Sequence, residues 1–329
     1  MEDKSKTVEI DSASLLKEIP LFEQRGITEF NLHDKALSKD RKKLMEIIEA
    51  FARYAPNVFV SIKIDISAID SKLVQVLSNI YCSLEIPLEG TVKNDVLLFD
   101  KKLYSSRAQL LNNAGIVFGF DAGYALQKGD SFKAFRDRIS FAVSLYPNHI
   151  DFEQLLDDNL PKSTGVYSSK DIDFSRGLAF ACSTFYSAGR AVPWFNTVIK
   201  PLKIDAATFF CDFEEWQQCN NCSWESGFNP EEALHKDIEQ MQLLFLKQKY
   251  EEKNKASYLN AVNDLVKLNG AFSRVALEGE ESVVETYYNP DDILSPYAME
   301  LSLFCENVTL ESCSVKVFAG LDCPDYKIL

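Results

Sequence analysis

The chain has 329 residues, 46% of them hydrophobic, and its 49 Asp and Glu outnumber its 35 Lys and Arg to give a net charge of −14. This apolar content predicts a large buried core and about two domains, and it excludes disorder as the main state. The acidic excess excludes broad binding of duplex nucleic acid, which needs clustered cations. The charged N-terminus MEDKSKTVEI and the lack of any run of roughly 18 apolar residues predict a cytoplasmic protein with no membrane span.

Five strand-and-helix units follow one another through the first half of the chain. Each predicted strand is followed by a helical pattern of about the length that a parallel crossover requires. Asp70 and Ser38 are candidate helix N-caps, and Gly115 is a candidate helix end. The predicted strands are Ile27–Leu32, Val58–Ile66, Cys82–Leu88, Ile116–Asp121 and Asn148–Phe152. The pattern predicts a parallel, TIM-like α/β sheet.

The strands of this sheet alternate between apolar and polar residues. A closed barrel fills its interior with branched apolar side chains, whereas here the inner face is polar, which predicts an open, partial (β/α) barrel. Charges on this face are solvated, mutually paired or bound to a ligand, because an isolated buried charge is costly. An internal ion-pair network around a wet cavity and a ligand pocket therefore remain open alternatives. The polar positions are Asn31, His33, Ser61, Lys63, Asp65, Glu85, Glu89, Gly119, Asp121, His149 and Asp151.

The order and spacing of five segments between Gly26 and Phe152 resemble the partial barrel of the radical S-adenosylmethionine superfamily, in particular its cobalamin-associated branch. The segments are ITEFNLHDKALSKD, APNVFVSIKIDIS, IDSKLVQVLSNIYCSLEIPLEGT, RAQLLNNAGIVFGFDAGYAL and GDSFKAFRDRISFAVSLYPNHIDF. The resemblance implies that S-adenosylmethionine is a candidate cofactor. It places Glu89 near the methionine or ribose part, Gly119 and Asp121 beside the adenine, and Asp34 after the second barrel strand. With Glu85 of the polar face, these are the five candidate cofactor-binding residues.

The chain departs from this family in one defining feature. The CxxxCxxC loop, whose thiolates hold a four-iron cluster, is absent from the sequence, and FDAGYALQKGDS lacks the family's glycine-proline-glycine turn. An iron-sulfur cluster in this chain alone is therefore not expected. Three interpretations remain: a cluster-less relative, one part of a split enzyme whose partner supplies the first strand and the cluster, or a chain whose true start lies upstream. A partner strand would add at the open edge of the strand that begins at Ile27.

The second half reads as a mainly helical domain, residues 161–329, after a first domain of residues 1–160. Helices are predicted over Ser175–Gly189, Ala206–Gln218, Glu231–Lys253 and Tyr258–Leu277, followed by an irregular tail in which strands are an open alternative. The aromatic residues of FYSAGRAVPWFN are expected to pack in a core, and Arg190 is a candidate carboxylate ligand.

Cysteines and histidines offer weaker signals. Cys219-Asn220-Asn221-Cys222 is half of a zinc or redox site, with Cys211 and His235 nearby in sequence, and ordinary reduced turn cysteines are the favoured interpretation. An alternative function is a metal-dependent barrel enzyme that uses His33, His149 and the inner carboxylates. A non-catalytic interaction or scaffold protein is the remaining alternative.

Overall fold

The computed structural model describes residues 11–34, 36–93, 96–125, 129–155 and 161–329. The strands are β1 (Glu29–Leu32), β2 (Phe59–Lys63), β3 (Cys82–Pro87), β4 (Thr91–Lys93), β5 (Val96–Leu98), β6 (Val117–Asp121), β7 (His149–Asp151), β8 (Ser282–Thr286), β9 (Cys313–Ala319) and β10 (Pro324–Ile328). The helices are α1 (Ser12–Glu18), α2 (Arg41–Tyr54), α3 (Ser71–Leu77), α4 (Lys101–Ala114), α5 (Phe132–Val143), α6 (Ser169–Cys182), α7 (Phe195–Ile199), α8 (Ala206–Cys219), α9 (His235–Glu252), α10 (Leu259–Glu278), α11 (Pro290–Ile293) and α12 (Leu301–Asn307). In the described residues, no helix is long and apolar enough to cross a membrane.

A five-stranded sheet has the strand order β1-β2-β3-β6-β7, and the register of its first four strands is parallel throughout. Strands that follow one another in the chain lie side by side, apart from the β4-β5 hairpin, as in a partial barrel wound in one direction. This confirms the predicted fold class of a parallel α/β partial barrel followed by a mainly helical region.

The chain forms two compact units. The first comprises Met1–Glu89 with Phe99–Asp121, and the second comprises Gly90–Leu98 with Ala122–Leu329. The predicted domain boundary near residue 160 adjoins residues 156–160, which lie outside the described residues, and it stays a prediction.

Strand register separates the two faces of the sheet in the first unit. Leu32, Ile62, Leu84 and Phe118 align in one buried row, which packs on the helices. The row on the opposite face consists of Asn31, Ser61, Ser83 and Val117. The predicted alternation is thus confirmed, although Val117 places an exposed apolar side chain in the polar row.

Helix caps fix where the crossovers begin and end. Asp70 accepts main-chain hydrogen bonds at the start of α3, and Gly115 ends α4 in the left-handed conformation, both as predicted. The predicted cap Ser38 is wrong: the side chain of Asp40 caps α2, whereas the Ser38 hydroxyl accepts from the Asp65 N–H at 3.1 Å.

The second unit is built around aromatic side chains. Phe185, Tyr186, Trp194 and Phe195 are buried, so the aromatic run packs in the core as expected. A π-helix, Ser183–Ala188, follows α6 and carries two of these rings. Arg190 is already paired with the carboxylate of Glu278 at 2.5 Å. The tail bears strands, which the sequence left as an alternative: β8, β9 and β10 form an antiparallel sheet in the order β10-β9-β8.

Candidate functional site

The carboxyl ends of β1, β2, β3 and β6 gather charged residues in the first unit. Lys63, Glu85 and Gly119 are aligned neighbours on β2, β3 and β6, and Asp121 ends β6 two residues beyond Gly119. Because the strands are parallel, their carboxyl ends form one edge of the sheet. Ligands of open α/β sheets bind beyond such an edge.

An ion pair crosses this face. Lys63 Nζ donates to Asp121 Oδ2 at 2.6 Å, and each side chain is only 19% exposed. Lys63 on β2 reaches over β3 to Asp121 at the end of β6. A pair this far withdrawn from water depends on both partners, because removal of either leaves a partly desolvated charge.

Glu85 lies in the middle of the polar face. Its side chain is half-buried, and Ser83 Oγ donates to its Oε1 at 3.4 Å. The adjacent Gly119 is buried and carries no side chain of its own. Glu85 is thus the cross-strand neighbour of Lys63, whose ammonium group pairs with Asp121.

Glu89 lies just beyond the end of β3, with an exposed side chain. Its main-chain N–H donates to the hydroxyl of Tyr104 at 3.2 Å, and the same hydroxyl donates to the Pro87 carbonyl at 2.6 Å. Tyr104 is a buried residue of α4 that was not among the residues predicted for the site. No local pattern marks a hydroxyl whose partners lie 15 and 17 residues away.

Asp34 follows β1 and is exposed. Its Oδ1 accepts from the Ala36 N–H at 2.8 Å, and it lines a narrow hollow with Lys63, Ser38 and Ile64. Asp65 does not continue the polar strand face as predicted. It is exposed, and its side chain caps the short 3-10 turn Ile66–Ala68 because β2 already ends at Lys63.

The structure thus aligns Glu85 and Gly119 directly, places Asp121 in the ion pair with Lys63, and places Asp34 beside Lys63 at the hollow. Glu89 lies beyond the end of β3, and its main-chain N–H donates to the Tyr104 hydroxyl. The role of these five residues in binding a cofactor stays a prediction.

The two histidines of the metal alternative lie in different elements. His33 is exposed just after β1. His149 belongs to β7 in the second unit, where its Nε2 lies 3.3 Å from Asp151 Oδ2. The metal-dependent function stays a prediction.

The cysteines do not assemble into a metal site in the described part of the chain. Cys82, the cysteine of the first unit, is buried, and desolvation raises the pKa of its thiol to about 11. Cys219 is exposed at the end of α8, whereas Cys222 is buried and donates to the Gln217 carbonyl at 3.7 Å. No group of metal ligands among the described residues includes a cysteine. This geometry agrees with ordinary turn cysteines.

His235 does not join these cysteines either. Its Nδ1 lies 3.1 Å from Arg274 Nη1, and burial, with the charges of Arg190 and Arg274, lowers the pKa of the ring to about 4. The imidazole is therefore neutral and belongs to an internal network with Glu239, which pairs with Arg274 at 2.6 Å.

Comparisons with known proteins give limited likeness. No family model matches the chain, and no curated protein matches it. Two solved structures of TsrM, a radical S-adenosylmethionine methyltransferase from Kitasatospora setae, are similar in part. One, with tryptophan substrate and the analogue aza-SAM bound, has a TM-score of 0.38, and the other, with cobalamin and a [4Fe-4S] cluster bound, has a TM-score of 0.37.

Both structures are 12% identical to the chain and cover 44% of it, and the chain covers 30% and 29% of their lengths. The chain thus spans less than a third of the proteins it matches. At these values the likeness assigns neither a family nor a function.

Proposed function

We propose that this chain binds S-adenosylmethionine at the carboxyl ends of its first four parallel strands, as a relative of the radical S-adenosylmethionine proteins that lacks their cluster. Asp34, Glu85, Glu89, Gly119 and Asp121 would form the site. The observation that carries the proposal is the half-buried Lys63–Asp121 ion pair beside Glu85 on a polar sheet face.

The charge of this face favours a cationic ligand. Glu85 and Asp121 outnumber Lys63, and Asp34 and Glu89 add carboxylates at the rim. S-adenosylmethionine carries a sulfonium, an ammonium and a carboxylate, for a net charge of +1. The carboxylates would attract the two cationic groups, Lys63 would attract the ligand carboxylate, and Gly119 would lie beside the adenine. Such charge matching inside a partly desolvated cleft is stronger than in bulk water.

The residues of the chain do not fit a four-iron cluster. The cluster needs three thiolates in one loop, whereas the first unit offers the buried, high-pKa thiol of Cys82. The proposal therefore covers binding, with no electron transfer by this chain. When bound, S-adenosylmethionine supplies an electrophilic methyl group or, with a reduced cluster, a radical.

A protein partner is the second part of the proposal. It would add a strand beside β1 and supply the cluster. Support comes from the position of β1 at the end of the strand order. The Phe59 N–H donates to the Thr28 carbonyl, so the alternation along β1 directs the main-chain groups of Glu29 and Asn31 away from β2.

Calorimetric titration of the full chain with S-adenosylmethionine and with S-adenosylhomocysteine tests the binding proposal. The second ligand lacks the methyl group and the sulfonium charge, so we expect it to bind about tenfold more weakly, which corresponds to about 1.4 kcal/mol. Glu85→Gln should lower the affinity for S-adenosylmethionine and reduce this difference.

Glu29→Gln is the matched control, because Glu29 is an exposed carboxylate on the same sheet. It should leave both affinities unchanged. Equal binding of the two ligands, or equal effects of the two substitutions, would contradict the proposed site. No binding of either ligand would favour the interaction or scaffold alternative.

A further inference from the structure

The hydroxyl of Tyr104 stands where the next peptide of β2 would otherwise lie. Along the β2-β3 ladder, the Val60 N–H donates to the Tyr81 carbonyl and the Ile64 N–H donates to the Glu85 carbonyl. The same spacing makes the Ile66 N–H the next donor, with the Pro87 carbonyl as its acceptor. Ile66 instead begins a 3-10 turn, so β2 leaves the sheet too early.

The Tyr104 hydroxyl replaces the N–H and the carbonyl that Ile66 would contribute if β2 continued. A residue on a neighbouring parallel strand would donate its N–H to the Pro87 carbonyl and accept from the Glu89 N–H through its own carbonyl. The single hydroxyl of Tyr104 makes both contacts, at 2.6 and 3.2 Å. On the other side of β3, the Leu88 N–H donates to the Asp121 carbonyl at 2.8 Å. The end of β3 is therefore held from both sides, beyond the point at which β2 stops.

The ring of Tyr104 is fixed by aromatic packing. Its centroid lies 4.4 Å from that of Phe99, in a stacked arrangement, and 5.9 Å from that of Phe120. Burial raises the pKa of the phenol, and the carboxylates of Asp65 and Glu89 raise it further. The hydroxyl thus stays protonated and able to donate at neutral pH. The hydroxyl therefore lies within electrostatic range of Asp65, which follows β2, and of Glu89, which follows β3.

We propose that Tyr104 is the positioning residue of the ligand site: by holding the Pro87–Glu89 main chain, it presents the Glu89 carboxylate to a cationic or hydroxyl group of the ligand. This inference rests on the proposed function. Tyr104 touches no ligand in this role and acts through Glu89.

A double-mutant cycle with Tyr104→Phe, Glu89→Gln and the double variant tests the inference, with affinity for S-adenosylmethionine measured by calorimetry. Tyr104→Phe keeps the ring packing and removes only the hydroxyl. We expect each single substitution to weaken binding three- to tenfold and the double variant to bind no more weakly than Glu89→Gln. A role of Tyr104 in general stability would give additive losses, and additive losses would overturn the inference.

Hydrogen exchange at the Glu89 amide gives a readout that needs no ligand. Tyr104→Phe should raise its exchange rate at least tenfold, whereas Tyr54→Phe, the same change at an exposed residue of α2, should leave it unchanged. If wild-type protein fails to bind S-adenosylmethionine, the proposed function fails. The exchange measurement still tests whether the Tyr104 hydroxyl fixes the Glu89 main chain. An unchanged exchange rate of the Glu89 amide in Tyr104→Phe would overturn that role.

Discussion

The hydroxyl of Ser187 makes two hydrogen bonds to the main chain of Ile150: it accepts from the N–H at 2.9 Å and donates to the carbonyl at 3.0 Å. Ile150 is the central residue of β7, the last strand in the sheet order. The main-chain carbonyl of the next residue, Asp151, faces the β6 side, because it accepts from the N–H of Ala122, which directly follows β6. The groups of Ile150 therefore point to the outer side of the sheet, and the π-helix that contains Ser187 closes that side.

Ser187→Ala measures how much the two hydrogen bonds to Ile150 contribute to the free energy of unfolding. The change leaves a buried donor and a buried acceptor of β7 without partners, so we expect a loss of about 1–3 kcal/mol in the free energy of unfolding. Urea denaturation measures it. Ser106→Ala, at an exposed hydroxyl bonded within α4, should stay within about 0.5 kcal/mol. Equal effects of the two changes would argue against the closure.

The contribution of Asp264 to the free energy of unfolding should fall as pH rises from about 4 to 6. This carboxyl is fully buried, accepts from the Tyr287 and Tyr288 N–H groups through Oδ2, and has no partner at Oδ1. Burial, opposed by these two hydrogen bonds, raises its pKa from 3.8 to about 6. Within that window the folded state binds more protons than the unfolded state, so its stabilisation is present at low pH and is lost above pH 6.

Asp264→Asn should remove this slope, since an amide keeps the acceptor and does not titrate. We expect the variant to be more stable than wild type at pH 8 by on the order of 1–3 kcal/mol. Thermal unfolding followed between pH 4 and 8 measures the change, and Asp322→Asn at an exposed site serves as control. A slope that survives in Asp264→Asn would assign it to another group.

The buried pair of Arg138 and Asp130 should be among the most sensitive positions of the second unit. Arg138 Nη1 donates to Asp130 Oδ1 at 2.7 Å, its Nη2 donates to the Gly123 carbonyl, and both side chains are nearly inaccessible. Asp130→Ala would leave a buried guanidinium unpaired, at an expected cost of about 3–5 kcal/mol.

Glu18→Ala provides the comparison for this pair. Glu18 forms an ion pair with Arg25 on the surface, and such pairs contribute about 0–1 kcal/mol. Urea denaturation of the two variants should separate them clearly. Similar losses of unfolding free energy in Asp130→Ala and Glu18→Ala would mean that Arg138 finds another partner or reaches water after the substitution.

Amide exchange along β1 should alternate. The N–H groups of Phe30 and Leu32 face β2 and should exchange slowly, whereas those of Glu29 and Asn31 face outward and should exchange fast. Exchange followed by nuclear magnetic resonance resolves the four residues. Uniform protection in the isolated chain would mean that the edge is already covered, which would contradict strand addition by a partner.

Much of the first unit could be predicted because its signals are local. Alternation along β2 and β3 predicts which side chains share a face, and Asp70 and Gly115 mark helix ends through their own main-chain chemistry. Ser38 and Asp40 both suit an N-cap, and the choice is made by a tertiary contact, since the Ser38 hydroxyl is taken by the Asp65 N–H. A sequence window cannot contain that contact.

In the candidate site, too, some features follow from local sequence and others from contacts between distant elements. Glu85 and Gly119 become neighbours through strand register, which alternation predicts, and Lys63 appears on the same face. The partner of Asp121 and the hold of Tyr104 on Glu89 depend on atoms brought together from distant elements. Asp65 left the predicted face because β2 ends before it, and strand ends are set by competition between ladder and turn hydrogen bonds.

The two outer strands of the five-stranded sheet, β1 and β7, differ because Ser187 already bonds to the outward main-chain groups of β7. At the β1 side of the sheet, two copies of the chain could join β1 to β1, related by a twofold axis. At the β7 side, the N–H and the carbonyl of Ile150 are already bonded to the Ser187 hydroxyl. A further strand that paired with Ile150 would have to break both of these hydrogen bonds.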